Sequence, residues 1–297
     1  MTKLKGVFPV LITPMKEDEQ VDYEGLKSNI EHFINKGAAG IAVTGSTGEF
    51  VSLTTEERYK VVEVAVEQVA GRVPVIAGTA AERTADAIAH TQQAEKAGAD
   101  ASLLINSYYA HPKEHEIYEH FKAVAESVKF PIMIYNNPFV SGVDISAETL
   151  LAVARDVDNI THIKESSGDI GKARDIARQG KDFIKVFCGS EDLALESALV
   201  GATGWISVSA NIVPEETKEM YEAAEAGNMD RAWELYDKLL PLGKFLEGSG
   251  KYVQIVKRAM ELQGLAGGPC RRPRLGLTEE EEATLKELLQ SFEVVKN

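Results

Sequence analysis

Short apolar segments alternate with longer amphipathic stretches along most of this chain. Eight of the apolar segments have the length and the branched-residue content of buried strands. They span residues 7–12, 40–43, 73–77, 101–105, 131–134, 160–163, 184–187 and 204–207. Between them, the stretches 55–69, 84–97 and 117–128 place apolar residues at three- and four-residue spacing, which predicts amphipathic helices.

This alternation predicts a closed barrel of eight βα units, a (β/α)8 TIM barrel. Successive strands begin roughly 25–35 residues apart, which is the length of one βα unit. Gly37 and Gly98 stand where two of the helices should end. A doubly wound open sheet is disfavoured, because the segment Thr13-Pro14-Met15-Lys16 after the first strand lacks the glycine fingerprint of that fold.

Roughly ninety residues follow the eighth predicted strand, which is more than one closing helix needs. Their periodicity predicts helices over 214–226, 229–246 and 278–292. We therefore expect a catalytic barrel over residues 1–225 and a C-terminal helical region over 226–297 that packs on the barrel. The chain between them has no linker rich in proline, glycine or serine.

The composition excludes several classes of function. The chain has 44% hydrophobic and 26% charged residues, as soluble globular proteins do. Its net charge of -14 disfavours nucleic-acid binding. The sequence shows neither an apolar segment long enough for a membrane nor a signal-peptide pattern at its start, so we expect a cytoplasmic location. Cys188 and Cys270 have no metal-binding spacing.

Lys164 is the strongest catalytic candidate. It follows the predicted strand 160–163 and precedes the small polar run 165–169, at the strand end where barrel enzymes keep their chemistry. Burial favours the uncharged form of an amine, and an uncharged amine can attack a carbonyl carbon. The sequence therefore predicts a nucleophilic lysine.

Other strand ends supply hydroxyl groups. Gly45-Ser46-Thr47-Gly48 follows the second strand, and its amides and hydroxyls suit a carboxylate, although the same residues also make a good turn. Tyr108 and Tyr109 follow the fourth strand, and Tyr135 follows the fifth. A tyrosine at such a place can transfer protons, whereas a core tyrosine needs only one hydrogen-bond partner.

Three segments at these separations resemble the dihydrodipicolinate synthase and N-acetylneuraminate lyase family. They are Gly45-Ser46-Thr47-Gly48-Glu49, Tyr135-Asn136-Asn137-Pro138 and Ile163-Lys164-Glu165-Ser166-Ser167-Gly168-Asp169. The resemblance runs along nearly the whole chain. It implies a class I lyase or aldolase in which Lys164 forms a Schiff base with pyruvate or another small 2-oxo acid. No cofactor and no metal is implied, because the protonated imine is the electron sink.

The resemblance also implies roles for the other candidates. Tyr135 would be the proton shuttle, and Thr47 would link it to Tyr109 of a neighbouring subunit. Ser46 and Thr47 would bind the substrate carboxylate, and Ile206 would offer its backbone carbonyl. The residues near Gly189 to Asp192, Glu191 among them, and Val208 would face the variable end of the substrate. We therefore expect a homotetramer built from two tight dimers.

One departure from the family pattern concerns the substrate. The synthases generally place an arginine two residues after the proline of Tyr-Asn-x-Pro, where this chain has Val140. This favours aldol cleavage or dehydration of a 2-keto-3-deoxy sugar acid or a hydroxylated 2-oxo acid. The alternative is a genuine 4-hydroxy-tetrahydrodipicolinate synthase, which condenses pyruvate with aspartate semialdehyde. A sensor that binds a 2-oxo acid without turnover is a third possibility.

Two short motifs are set aside. His111-Pro112-Lys113-Glu114-His115 matches a zinc-peptidase string, but its proline suits a helix start and not the helix interior that the motif requires. Gly248-Ser249-Gly250-Lys251 lacks the first glycine and the hydroxyl residue of a phosphate loop. We expect solvated histidines and a turn.

Overall fold

The computed structural model describes residues 4–294, and its eight parallel strands form the predicted barrel. The strands are β1 (Gly6–Pro9), β2 (Ile41–Val43), β3 (Val75–Gly78), β4 (Ala101–Ile105), β5 (Ile132–Asn136), β6 (Ile160–Glu165), β7 (Lys185–Cys188) and β8 (Gly204–Ser207). Each strand pairs with its neighbour in sequence from β2 to β8, and β8 pairs with β1. A parallel bridge between Val10 and Ala42 joins β1 to β2 and closes the ring.

Twelve helices are found among the described residues. They are α1 (Tyr23–Asn35), α2 (Thr55–Val69), α3 (Thr84–Ala97), α4 (Glu114–Glu126), α5 (Pro138–Ser141), α6 (Ala147–Asp156), α7 (Ile170–Gln179), α8 (Ala194–Leu199), α9 (Pro214–Glu225), α10 (Met229–Gly248), α11 (Tyr252–Leu262) and α12 (Glu279–Gln290). Two single turns of 3₁₀ helix, Phe50–Ser52 and Ser209–Asn211, follow β2 and β8. None of the described helices is long and apolar enough to cross a membrane.

Local signals explain the helix ends that the sequence predicts well. At α2, the Thr54 side chain accepts from the Glu57 amide while the Glu57 carboxylate accepts from the Thr54 amide, which is a capping box. Gly37 and Gly98 end α1 and α3 with φ values of 80° and 93°, in the left-handed region that glycine adopts without strain.

Several strand ends require correction, and the fifth strand, expected to end at residue 134, continues through Tyr135 and Asn136. The first strand was expected over 7–12 but spans Gly6–Pro9, because after Pro9 the chain leaves β8 and Val10 pairs with β2. The sixth was expected to end at residue 163 but continues through Lys164 and Glu165. Lys164 is therefore held by the sheet itself, since it pairs with Tyr135 on one side and with Phe187 on the other.

The inside of the barrel is apolar. Phe8, Met133 and Phe187 are completely buried there, and the Phe8 and Phe187 rings meet edge to face at 5.6 Å between centroids. Leu103 and Tyr135 belong to the same cluster at its carboxyl end. This packing closes the barrel below that end, so side chains at the strand ends form the floor of an open mouth.

The C-terminal helices pack against the barrel helices. Leu235, Leu242 and Leu246 of α10 belong to the same buried cluster as Tyr221 of α9, and this cluster continues into the barrel helices α1 and α2. Apolar packing therefore runs across the predicted boundary at residue 225. Helix α11 was not predicted. Only three residues separate it from the end of α10.

Candidate active site

A cavity of about 580 Å³ opens at the carboxyl ends of the barrel strands. Its wall brings together six of the residues predicted from sequence: Ser46, Thr47, Tyr135, Lys164, Gly189 and Glu191. It also includes residues that the sequence did not single out, most notably Ser166, Glu247 and Tyr252. The cavity is a suitable size for a small organic ligand.

Lys164 extends from β6 into this cavity. Only 5% of the residue is exposed, and its Nζ atom lies 4.3 Å from the centre of the Tyr135 ring on the adjacent strand. The two residues are directly paired in the sheet, so the backbone fixes the distance between amine and phenol. A buried amine beside a phenol can attack a carbonyl while the phenol handles the proton.

Because Gly189 has no side chain, it leaves room for the Lys164 side chain. A Cβ atom on Gly189 would lie 1.8 Å from Ser166 Oγ and 2.5 Å from Lys164 Cε, well inside van der Waals contact. No side chain fits at this strand end while Lys164 keeps its position. The structure therefore gives Gly189 a steric role beside its predicted place in the substrate wall.

Gly189→Ala is expected to displace Lys164 and lower kcat/KM by about 10²-fold, because a misplacement of about 1 Å at a reacting group has that effect. Gly248→Ala is the matched control, since a Cβ atom there meets nothing within 4 Å. Steady-state kinetics and circular dichroism of both variants check this. A Gly189→Ala enzyme with wild-type kcat/KM would show that Lys164 does not need this space.

The loop that presents Ser46 and Thr47 is rigidly held. Thr44 and Glu49, which bracket it, both have left-handed backbones, with φ values of 53° and 56°. Such a conformation is rare for a β-branched residue and persists only where the surroundings enforce it. Thr13 Oγ1 donates to the carbonyl oxygen of Gly48 at 2.8 Å. Thr47 is 3% exposed and its side chain lies in the cavity wall.

A buried ion pair between Lys257 and Glu49 also stabilises this loop. Lys257 Nζ of α11 lies 2.6 Å from Glu49 Oε1, and the two side chains are 2% and 0% exposed. Lys257 also donates to the carbonyl oxygen of Pro269, and Arg274 Nη1 lies 3.5 Å from Glu49 Oε2. The C-terminal helices are thus connected to the second strand end through buried charges.

In the Tyr-Asn-x-Pro segment, Asn137 contacts the Tyr135 phenol and Asn136 contacts the neighbouring strand. Asn137 Nδ2 donates to the Tyr135 hydroxyl at 2.7 Å, which orients the phenol. Asn136 is completely buried, and its amide nitrogen donates to Glu165 Oε2 at 3.0 Å. Burial raises the pKa of Glu165, although hydrogen bonds from Ser167 and Asn136 lower it by less. Asn136 and Glu165 therefore join the ends of β5 and β6.

Tyr252, the first residue of α11, is a site residue that the sequence did not reveal. Its hydroxyl is within hydrogen-bonding reach of the Thr47 side chain. Burial raises the pKa of the Tyr252 phenol and the nearby Tyr135 phenol raises it further, whereas the hydrogen bond with Thr47 lowers it by less. The group therefore stays a neutral donor at pH 7, and it lies near both Thr47 and the Tyr135 phenol.

Tyr109 is not part of the cavity wall that the described residues form. It is 85% exposed, and its amide donates to the carboxylate of Glu82. Glu82 also accepts from the amides of Tyr108 and Ala110 and from Ser107 Oγ. Burial alone would raise the pKa of Glu82, but these hydrogen bonds outweigh it and lower the pKa. A rigid loop thus presents Tyr109 at the surface, and its action in a neighbouring subunit stays a prediction.

Glu191 reaches the cavity wall, but its carboxylate is used by the fold. The carboxylate accepts from the amides of Val208 and Ser209 at 2.6 and 2.8 Å and from Ser207 Oγ at 3.1 Å. Burial raises its pKa, and these bonds lower it by less. The Glu191 amide donates to Glu247 Oε1 at 2.8 Å. Its carboxylate therefore shapes the loop after β8, and its predicted contact with substrate stays untested.

Ile206 is completely buried in β8 and is not part of the cavity wall formed by the described residues. A contact between its carbonyl and an imine stays a prediction.

The zinc-peptidase string His111-Pro112-Lys113-Glu114-His115 has a structural role in the fold. The Glu114 carboxylate accepts from the amide and Oγ of Ser146 and from Thr149 Oγ1. This glutamate therefore joins the start of α4 to the first turn of α6, whose N-cap residue is Ser146.

The match to known proteins extends along the chain. A model of the dihydrodipicolinate synthetase family matches residues 3–292. The chain belongs to this family. A 4-hydroxy-tetrahydrodipicolinate synthase of Methanothrix thermoacetophila is 41% identical over 288 residues, or 96% of each chain. A dihydrodipicolinate synthase structure from Aquifex aeolicus has a TM-score of 0.95 and 38% identity, and the match covers 99% of this chain and 100% of that one.

A third family member bears on the ligand. The structure of the chloride inhibited dihydrodipicolinate synthase from Acinetobacter baumannii is described as complexed with pyruvate. It is 33% identical to this chain, has a TM-score of 0.93, and the match covers 98% of this chain and 99% of that one. The fold similarity therefore includes a relative that binds a 2-oxo acid.

Membership of the dihydrodipicolinate synthetase family confirms several predictions from the sequence. The protein is an enzyme, a lyase of the class I aldolase type, with the (β/α)8 fold that was expected. On substrate, however, the names of the relatives support the alternative of a 4-hydroxy-tetrahydrodipicolinate synthase better than the preferred hydroxylated 2-oxo acid. The argument from Val140 was therefore weaker than the overall similarity to the synthases.

Proposed function

We propose that Lys164 forms an imine with the keto carbon of pyruvate and that the derived enamine makes or breaks a carbon–carbon bond to an aldehyde. The observation that supports this most directly is the buried amine of Lys164 in the cavity, 4.3 Å from the Tyr135 ring. The amine nitrogen bonds to the keto carbon and the keto oxygen leaves as water. Tyr135 gives its phenolic proton to the departing hydroxyl, which leaves a protonated imine. The imine then draws the electrons of a methyl C–H bond into the new enamine, and the Tyr135 phenolate takes that proton back.

The carboxylate of pyruvate would bind at the loop after β2. The Ser46 and Thr47 hydroxyls and amides are donors in the cavity wall, and Tyr252 of α11 lies beside Thr47. Tyr109 would complete the proton path from a second subunit, in a homotetramer made of two dimers. Its exposure of 85% on a rigid loop supports this proposal.

Two aldehyde partners are candidates. The names of the relatives favour aspartate semialdehyde and hence 4-hydroxy-tetrahydrodipicolinate synthesis. The second candidate is a hydroxylated aldehyde, the cleavage product of a 2-keto-3-deoxy sugar acid. The observation that favours it is Val140, which lies in the cavity wall and offers no charge to a second carboxylate. Loss of one charge-assisted hydrogen bond reduces binding by roughly 10- to 150-fold.

Borohydride reduction in the presence of pyruvate, followed by peptide mass mapping, tests the imine. The expected product is a single adduct on the peptide that contains Lys164. Turnover with aspartate semialdehyde and with glyceraldehyde then assigns the partner. An adduct on another lysine would refute the proposed mechanism, and an adduct without turnover of any aldehyde would indicate a sensor.

A further inference from the structure

The cavity wall contains three acidic side chains, Glu191, Asp192 and Glu247. Glu191 and Asp192 follow β7, which lies three strands round the barrel from β2 and the loop of Ser46. Glu247 belongs to the last turn of α10, which the sequence places far from any barrel strand. Glu191 and Asp192 thus follow a different strand from the proposed carboxylate loop, and Glu247 lies beside Glu191.

These three acids differ in how many hydrogen bonds their carboxylates already accept from the protein. The carboxylate of Glu191 accepts hydrogen bonds from Ser207 at the end of β8 and from Val208 and Ser209 after it. Glu247 Oε1 accepts from the Glu191 amide, which orients the Glu247 carboxyl group, while its Oε2 has no hydrogen-bond partner among residues 4–294. Within the same range, the Asp192 carboxylate has no hydrogen-bond or ion-pair partner either. Two acids are therefore available to a ligand.

An unpartnered hydroxyl lies in the same wall. Ser166 is 4% exposed, and its Oγ atom has no hydrogen-bond partner in the described part of the chain. A buried hydroxyl without a partner is costly, so a group that satisfies it is expected from the ligand or from water. Since Ser166 is two residues from Lys164, such a ligand lies beside the reacting carbon.

We propose that Glu247, with Asp192 and Ser166, forms a subsite for hydrogen-bond donors on the aldehyde, that is, hydroxyl or ammonium groups. The same subsite disfavours an aldehyde whose only polar tail is a carboxylate, because like charges repel in a confined cavity. This inference rests on the proposed function, since the aldehyde meets pyruvate already bound at Lys164. Glu247 is then a residue that determines specificity.

The charge of this subsite changes near neutral pH. The pKa of Glu247 is raised to about 7, mainly by burial. The Glu191 and Asp192 carboxylates also raise this pKa, whereas the hydrogen bond from the Glu191 amide and the charge of Lys164 each lower it by less than burial raises it. Tyr252, which also faces Glu247, stays neutral in this range because its pKa is raised. Glu247 is therefore neutral below pH 7 and negative above it. Repulsion of a carboxylate tail should strengthen as the pH rises.

Three aldehydes test the subsite with pyruvate as the common partner: glyceraldehyde, aspartate semialdehyde and succinic semialdehyde, which bring hydroxyls, an ammonium with a carboxylate, and a carboxylate alone. At pH 8 the wild-type kcat/KM for glyceraldehyde or aspartate semialdehyde should exceed that for succinic semialdehyde by about tenfold or more. At pH 6 this ratio should shrink. Changes at the pyruvate imine affect all three aldehydes and cancel in the ratio.

In Glu247→Gln the ratio should fall to about threefold or less and lose its dependence on pH, mainly through KM. Glu234→Gln is the matched control, because Glu234 lies on the same helix and pairs with Arg231 at the surface. A wild type that uses succinic semialdehyde as well as the others at pH 8 would overturn the inference. So would a Glu247→Gln enzyme in which all three aldehydes change by one factor.

Borohydride trapping of pyruvate without aldehyde separates this inference from the proposed function. If wild type and Glu247→Gln both trap pyruvate on Lys164 while the ratio does not move, only the subsite is refuted. If wild type fails to trap pyruvate, the proposed function itself is refuted.

Discussion

Lys164→Ala and Lys164→Met are both expected to lower kcat/KM by at least about 10³-fold and to lose the pyruvate adduct entirely. Without the amine there is no imine, so the enamine has no electron sink, and removal of a covalent nucleophile has effects of this size or larger. The methionine variant keeps most of the side-chain volume in a place that is 5% exposed, so it separates chemistry from packing. Aldehyde turnover and peptide mass mapping measure the two losses.

Lys185→Ala is the control for this experiment. Lys185 also lies on a barrel strand, but it begins β7 at the amino end and is exposed, with its Nζ atom donating to the carbonyl oxygen of Lys181. Its variant should react with pyruvate as the wild type does. Turnover near the wild-type level in Lys164→Met would contradict the proposed imine.

The elements that the sequence predicted best are those whose boundaries depend on neighbouring residues. Helix α2 spans the predicted residues 55–69 because Thr54 and Glu57 form their capping box within one turn. Helix α3 ends at Gly98 for an equally local reason. Barrel enzymes keep their catalytic residues at the carboxyl ends of the strands, and this rule correctly predicted that Lys164 and Tyr135 lie in one cavity.

The parts that were missed depend on packing between distant segments. Glu247 and Tyr252 lie in the cavity wall because the end of α10 and the start of α11 reach it, and no local pattern shows where an appended helix will pack. A signal for α11 itself was present, since Val253, Val256 and Met260 recur at helical spacing, but the glycines before them suggested only a turn. Tyr109 shows another limit, because the periodicity of one chain cannot show whether a residue acts in a neighbouring subunit, as is proposed for Tyr109.

The second large effect is expected on stability, from the buried pair of Glu49 and Lys257. Glu49→Gln keeps the size of the side chain but leaves the ammonium of Lys257 buried without its counter-charge. Breaking one partner of a buried ion pair costs about 3–5 kcal/mol of unfolding free energy. Glu49 also follows the loop of Ser46 and Thr47, so the same change should raise KM for pyruvate. Urea unfolding at one fixed protein concentration and steady-state kinetics measure the two effects.

Two further variants identify the cause of such a loss. Glu215→Gln removes a surface partner of Lys36, a pair with 2.7 Å separation and side chains that are 65% and 37% exposed, and should cost at most about 1 kcal/mol. Glu49→Gln combined with Lys257→Met removes both charges and should recover much of the stability, because an uncharged replacement of a buried pair is often tolerated. If Glu49→Gln costs no more than Glu215→Gln, the buried ion pair does not connect the C-terminal helices to the loop that is proposed to bind the carboxylate.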